Sequence, residues 1–576
     1  MKERMIRTVV VGSGCAGLNA ADTLAALGER DVAVVTENLL SGTSRNTGSD
    51  KQTYYKLSLA GDDPDSVGDM AKTLLRSDVN GDTALCEAAN SARCFMKLAA
   101  LGVPFPVNEF GEYVGYQTDH DVRKRATSAG PLTSRYMAEA LERSVKARGV
   151  EILEPLLACR ILTGEQGVTG LLCLDMWERD WVWIHCAHVV LCTGGPAMIY
   201  LNSVYPESQR GMSGMAFEAG AAGANLDCWQ YGLASVQFRW NVSGSYQQAL
   251  PRYVSVDRDG REREFLADVL GKTEAVDRVF LKGYQWPFDP RKVKGSSMVD
   301  LLVQAEEDAG RRVYMDYLHN PVGYDFSALP REARDYLKNC GADRPLPIDR
   351  LRAINAPAIK LYRSHGIDLE REMLEVRVCA QHHNGGIAVD ADWQTCVPGL
   401  YACGEAAGTF GRYRPGGTAL NSTQVGSLRV AEHIARCSRR TVRTAAEMEI
   451  PPLPAGDAKA LIGSLQNKMT RYAAFRRDEE GIRALLAEID EACSNTLFAS
   501  LADPQLVDRL RLRDMMITQR GVLSAMLESL RNDTEQGVLM TRNGKSERVP
   551  ARLLPERDLW FERVWQAYRK KEGQNG

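Results

Sequence analysis

The passage that most constrains this chain is its first strand, turn and helix, Thr8-Val9-Val10-Val11-Gly12-Ser13-Gly14-Cys15-Ala16-Gly17-Leu18-Asn19-Ala20-Ala21. A β-branched run without turn residues reads as a strand buried in a parallel sheet. Gly12, Gly14 and Gly17 follow at the spacing of a dinucleotide-binding turn. Gly12 permits the tight turn, Gly14 lets backbone approach a pyrophosphate, and Gly17 lets the next helix pack closely on the strand. The free N–H groups that open the helix, at Cys15 and Ala16, face the phosphates, where the helix dipole also favours negative charge. The turn alone does not separate a nicotinamide from a flavin. A second strand, from Asp31 to Glu37, ends where an acid ordinarily receives the adenosine ribose. Thr36 holds the counted position and Glu37 follows it, so one of the two is expected to bond the ribose.

At 576 residues the chain exceeds one ordinary core, and two or three domains are expected. The net charge is −3 and Lys and Arg are scattered, which leaves no basic patch for nucleic acid or a lipid surface. No apolar run approaches the roughly 18–20 residues that cross a bilayer. The chain enters its first strand almost at once, without room for a cleavable signal, so a cytoplasmic location is expected. The 14 cysteines are dispersed, with no CxxC pair to start an iron–sulfur or zinc site. Cys173, Cys192, Cys228 and Cys403 fall in expected strands or helices, which suits reduced, packed thiols. His185 and His188 are three apart on an extended segment and should point to opposite faces, so no metal site is expected there.

After the second strand, Ser41 to Gln52 form a polar loop rich in donors, including Ser44, Thr47 and Gly48, which reads as a cover over the cofactor. Residues 64–101 and 131–148 carry helical periodicity, and strands follow at Glu151–Leu153, Gly170–Leu174, Trp181–Ile184 and His188–Leu191. The last runs into Thr193-Gly194-Gly195. Gly214 to Ala221 reads as a helix closed by small residues. From 233 to 351 periodicity weakens while Trp, Tyr and Pro accumulate, which marks an insert. Alternation returns at Leu374–Ala380, before Gln381-His382-His383-Asn384-Gly385-Gly386. A short buried strand at Gly399–Cys403 opens into Gly404-Glu405, then Arg414-Pro415-Gly416-Gly417, then a helix from about Ala419 to Cys437. Beyond Pro454 the chain reads as mostly helical, and Arg476 to Glu480 as a solvated helix face.

Several separated segments resemble one family, the flavoprotein subunits of fumarate reductase, succinate dehydrogenase and L-aspartate oxidase. Gly12 to Gly17 is similar to its dinucleotide turn, Cys192 to Gly195 to its alanine-threonine-glycine-glycine strand end, and Gly214 to Gly220 to the helix after it. Gly399 to Glu405 with Arg414 to Gly417 resembles its second flavin segment, and Leu465 to Gly481 its C-terminal helices. The resemblance implies an α/β fold: a Rossmann-like FAD-binding domain (1–232 and 352–440), an inserted α+β capping domain (233–351) and a C-terminal helical domain (441–576). It implies FAD, held by Gly12, Gly14, Cys15, Ala16, Gly17, Thr36 or Glu37, Ser44, Thr47, Gly48, Thr193, Gly194, Gly195, Gly404, Glu405, Gly417 and Leu420. The histidine that some members use for covalent attachment is replaced at Arg45 or Asn46, so the FAD should be noncovalent.

The departures concern the substrate. The family's cap opens with glutamine-phenylalanine-histidine-proline-threonine, whereas Gln237-Phe238 is followed here by Arg239-Trp240-Asn241. No arginine lies near Lys294 to Met298, where the catalytic one should fall. The histidine–tyrosine–x–methionine–glycine–glycine segment becomes Gln381 to Gly386, with histidine displaced by one. The implied scaffold is a dicarboxylate reductase with its dicarboxylate and proton-transfer residues substituted. Arg414, before a rigid Pro-Gly-Gly turn, is the leading catalytic candidate, since a fixed guanidinium binds carboxylate or polarises carbonyl. His382 and His383 alternate, so one of them can face substrate, and Arg239 is a cap candidate. Lys51 and Tyr54 are candidates to border the flavin. The expected reaction is hydride transfer between flavin and a carbon beside a carbonyl or carboxyl of a small molecule other than fumarate. With one dinucleotide turn, taken by FAD, electrons pass to or from an external carrier such as a ferredoxin-like protein. The alternatives are an electron-transfer subunit of a larger redox complex and a flavin-binding protein with altered catalytic groups.

Overall fold

The computed structural model describes residues 2–60, 64–76, 78–118, 120–436, 438–443, 450–532 and 536–555. Its centre is a five-stranded, all-parallel sheet in the order Leu400–Ala402, His188–Leu191, Thr8–Val11, Val32–Val35, Glu151–Leu153. Every residue of the Thr8–Val11, Val32–Val35 and His188–Leu191 strands is buried, as their apolar runs require. From Thr8–Val11 the chain goes first to the Val32–Val35 side and later to the His188–Leu191 side. That reversal opens a crevice beyond the strand ends, the usual ligand position in such sheets.

Two glycines shape the crevice. Gly12 has φ +111°, and a Cβ there would stand 2.4 Å from the Cys192 carbonyl oxygen, so the two strand ends touch only without a side chain. A Cβ on Gly17 would lie 1.8 Å from the Gly12 carbonyl oxygen. The helix Cys15–Ala26 therefore sits directly on the turn, with its first ten residues buried.

The helical periodicity over 64–101 corresponds to two helices, Val67–Leu75 and Gly81–Ala100, and Ser77 between them lies outside the described residues. The helix Thr133–Ala147 matches its expected span closely. A four-stranded sheet, Lys2–Met5, Asp180–His185, Gly167–Asp175, Leu156–Gly164, flanks the parallel one. Its Leu156–Gly164 strand carries no clean alternation and was not expected. His185 and His188 end up on strands of different sheets, and among the described residues no group of three or more His, Cys, Asp or Glu could hold a metal. Thirteen cysteines are described, all as free thiols. Among the described residues no helix is long and apolar enough to cross a membrane.

A six-stranded sheet runs Trp240–Asn241, Trp229–Ser235, Leu374–His383, Arg312–Asp316, Arg252–Val256, Glu262–Arg263. Arg252–Val256, Glu262–Arg263 and Arg312–Asp316 thus share a sheet with the strand that carries His382 and His383. The helix Thr418–Arg436 returns against Cys15–Ala26; Cys437, its expected last residue, lies outside the described residues, as do 444–449, 533–535 and 556–576 of the C-terminal stretch. Beyond Pro454 come the helices Ala458–Tyr472, Glu479–Ser494 and Leu506–Arg531. They are followed by an unexpected hairpin, Val538–Arg542 with Lys545–Val549, which pairs with Gly223–Ala224.

Candidate active site

A cleft of about 550 Å³ runs from the ends of the parallel strands to the six-stranded sheet. At the strand ends it is lined by Gly12, Ser13, Gly14, Cys15 and Ala16, by Thr36 and Glu37, and by Thr193 and Gly194. The polar loop contributes Thr43, Ser44, Thr47, Gly48 and Asp50, and the Thr418–Arg436 helix opens on it with Gly417 and Leu420. The sequence therefore brought these cofactor candidates to one surface. Gly17, Gly195 and Gly404 do not line the cleft. They act one layer behind it: a Cβ on Gly195 would meet Glu405 Oε1 at 2.4 Å, and Gly404 has φ +64° with Ala16 Cβ 3.1 Å from its would-be Cβ.

Thr36 and Glu37 differ in their partners. The Thr36 hydroxyl lies 2.9 Å from that of Ser13, whereas Glu37 forms an ion pair with Arg511 of the last long helix. The Ser44 hydroxyl accepts from the Cys15 N–H at 3.1 Å, at the opening of the first helix. The hydroxyl oxygens of Thr43 and Thr193, both cleft-lining residues, are buried without a hydrogen-bond partner among the described residues. Together the glycine cradle, the helix N-terminus and two orphaned hydroxyls fit a dinucleotide's phosphates and ribose.

The far end of the cleft is lined by Gln230, Gln248, Trp286, Gln381, His382, Glu405 and Arg414. The Arg414 guanidinium donates to Gln230 Oε1 (2.7 Å), Asn384 Oδ1 (3.0 Å) and Thr418 Oγ1 (3.4 Å). These neutral oxygens orient the group. Glu405 accepts from the Tyr205 hydroxyl and the His383 N–H, and burial raises its carboxyl to about 7. Burial and nearby Arg414 hold His382 well below the ordinary histidine range. Gln381 is clamped between Trp286, whose indole donates to it at 2.8 Å, and the Leu233 carbonyl.

Two catalytic candidates lie elsewhere. His383 points away from the cleft, stacked on Trp229 with centroids 4.2 Å apart, because strand alternation sends neighbours to opposite faces. Arg239 sits on the tight turn between paired strands, donates to the Tyr205 carbonyl at 3.2 Å and lines a second cavity with Arg45, Phe238 and Arg377. Lys51 lines the cleft, while Tyr54 is buried against Asn421. Sequence reasoning missed Gln230, Gln248 and Trp286; glutamine and tryptophan on weakly periodic segments carry no motif.

A family model described as FAD binding domain matches residues 7–420. The chain belongs to that FAD-binding flavoprotein family. It is 27% identical over 500 residues to L-aspartate oxidase of Caulobacter vibrioides, covering 84% of this chain and 86% of the relative. The fold is that of Mycobacterium smegmatis Sdh1, solved in complex with UQ1, at TM-score 0.72 and 19% identity over 97% and 96% of the two chains. The quinol fumarate reductase of E. coli follows at TM-score 0.68 and 16% identity over 97% and 98%. The FAD cofactor and the α/β flavoprotein fold expected from the motifs are thereby established, and the protein is an FAD-dependent oxidoreductase of the succinate dehydrogenase, fumarate reductase and aspartate oxidase type.

Proposed function

We propose that the protein moves hydride between its FAD and a carbon beside a carbonyl or carboxyl of a small substrate, with Arg414 holding that electron-withdrawing group. The supporting observation is the Arg414 guanidinium, fixed in the cleft by three neutral oxygens. FAD would be held by the glycine turn, Thr43, Thr193 and Glu405, and would supply the two-electron chemistry. Arg414 stabilises negative charge that builds on the carbonyl or carboxyl as the adjacent carbon reacts, and so favours the transition state over the ground state. Insert residues Gln248 and Trp286 help to shut out water.

L-aspartate oxidase, by its name, acts on a dicarboxylate. Here the substrate end offers amides and an indole around Arg414, and Arg239 lies in another cavity, so the reading favours a substrate with one anionic or carbonyl anchor over fumarate or aspartate. An external electron carrier completes the cycle, because a flavin that has exchanged two electrons with substrate must be reset. Residues 233–351 act as a cap over the site.

Arg414→Ala should keep FAD yet lower turnover about a hundredfold or more, the scale for one such group. Lysine should rescue poorly for lack of the planar fork. Stopped-flow reoxidation of the reduced protein by a panel of enoates and 2-oxo acids provides the assay. A purified Arg414→Ala protein with its flavin and full activity removes Arg414 from the reaction; loss of flavin together with activity makes it a brace for the cofactor loop.

A further inference from the structure

Beside the two threonine hydroxyls and Asn241 Oδ1, one more buried polar atom of a cleft-lining residue has no hydrogen-bond partner among the described residues: Nε2 of His382, whose side chain is 8% exposed. Its protonation follows from its neighbours. His382 Nδ1 lies 2.8 Å from Asn384 Oδ1, and Arg414 Nε donates to that same atom at 3.0 Å. A guanidinium N–H only donates, so the Asn384 atom between them is the amide oxygen, an acceptor. Nδ1 must then carry the imidazole proton, which leaves Nε2 a bare acceptor in the neutral ring. Burial and the Arg414 charge keep the ring neutral.

Among the described residues, nothing satisfies that acceptor. Glu405 Oε1 is 3.8 Å away, beyond hydrogen-bond range, and already accepts from Tyr205 and from the His383 N–H. The Phe410 ring meets His382 edge-on, with centroids 4.8 Å apart. One amide oxygen thus sets both a cation and an acceptor: Asn384 turns Arg414 by its Nε and His382 by its Nδ1.

We propose that His382 Nε2 accepts an O–H or N–H of the substrate next to the group that Arg414 holds, which makes the substrate a 2-hydroxy or 2-amino carbonyl or carboxyl compound. This rests on the Arg414 reading above. A ligand without the donor leaves Nε2 unpaired in a buried site, and sites built to bond a hydroxyl or amine reject analogues that lack it.

The test titrates the FAD-loaded, full-length protein with 2-hydroxybutanoate, 2-aminobutanoate and butanoate, following flavin absorbance. The hydroxy or amino acid should bind at least about tenfold more tightly than butanoate. His382→Phe should bring the three within about threefold, and His382→Gln, which restores an acceptor oxygen, should recover part of the difference. Equal affinities in the unaltered protein, abolished together by Arg414→Ala, overturn the inference and leave the Arg414 reading standing. Absence of any response to the three carboxylates overturns both. If His382→Phe loses FAD while Arg414→Ala keeps it, Nε2 serves a cofactor hydroxyl and the inference is wrong.

Discussion

Replacing Gly17 by alanine tests the cofactor turn at one atom. The added Cβ would lie 1.8 Å from the Gly12 carbonyl oxygen, 2.9 Å from its carbon and 3.3 Å from Cys192 Cβ. Ordinary contact requires the helix Cys15–Ala26 to retreat by roughly 1–2 Å. The turn cannot recede instead, since the Gly12 N–H is bonded to the Val35 carbonyl at 2.9 Å within the sheet. Overpacking a core usually costs about 1–3 kcal/mol, and a clash with backbone that cannot rotate away belongs at or above the top of that range. The same retreat carries the helix N-terminus away from the phosphate end of the cleft and stretches the bond from the Cys15 N–H to the Ser44 hydroxyl. Gly17→Ala should therefore melt several degrees lower and retain less than about a tenth of its FAD after desalting. Gly463→Ala is the control. Gly463 is exposed within the helix Ala458–Tyr472, and nothing stands within 4 Å of its would-be Cβ, so alanine should stabilise by about 1 kcal/mol through helix propensity. If Gly17→Ala keeps full flavin and melts with the unaltered protein, the close packing of helix on turn is not what holds the cofactor.

Two further outcomes are expected. Acid precipitation should release free FAD into the supernatant, because the attachment histidine is replaced at Arg45 or Asn46; yellow colour left on the pelleted chain would show a covalent bond. Asp50, on the cofactor loop, accepts from Ser245 and, at 2.6 Å, from Asn355 at the kink before Pro357, so it ties that loop to both segments. Asp50→Ala removes the acceptor of the Ser245 hydroxyl and leaves the Asn355 amide only the Ser245 oxygen at 3.0 Å, a loss of about 1–3 kcal/mol, and should raise hydrogen exchange in Ser245–Gln248 and Pro347–Ser364 at least about fivefold; unchanged exchange would mean that the loop does not hold these two segments.

What could be read from the sequence, and what could not, divides by the range of the forces involved. The turn Gly12 to Gly17 was legible because its constraint is steric and local: a carbonyl 1.8 Å from a would-be Cβ admits one residue. The same holds for Gly404, whose positive φ excludes most side chains. The terminal hairpin was equally local and went unread, although Asn543-Gly544, both at positive φ, is a strong two-residue turn signal. The substrate end was different in kind. Alternation predicts that only one of His382 and His383 faces the cleft, but which one depends on the pairing of Gln230 with His382 and the bulge beside it. No spacing rule supplies that long-range register. Arg239 shows the same limit from the other side. Its place in the sequence put it in the cap, yet the turn between Ser235 and Trp240 aims its guanidinium at the Tyr205 carbonyl. Asn384 carries no motif at all, and its amide oxygen nevertheless sets the orientation of Arg414 and the tautomer of His382. In this chain, then, cofactor residues are fixed by what the backbone can do within six residues, and substrate residues by which side chains distant segments bring together. That is why a chain can keep a family's flavin turn while its substrate groups are exchanged one by one.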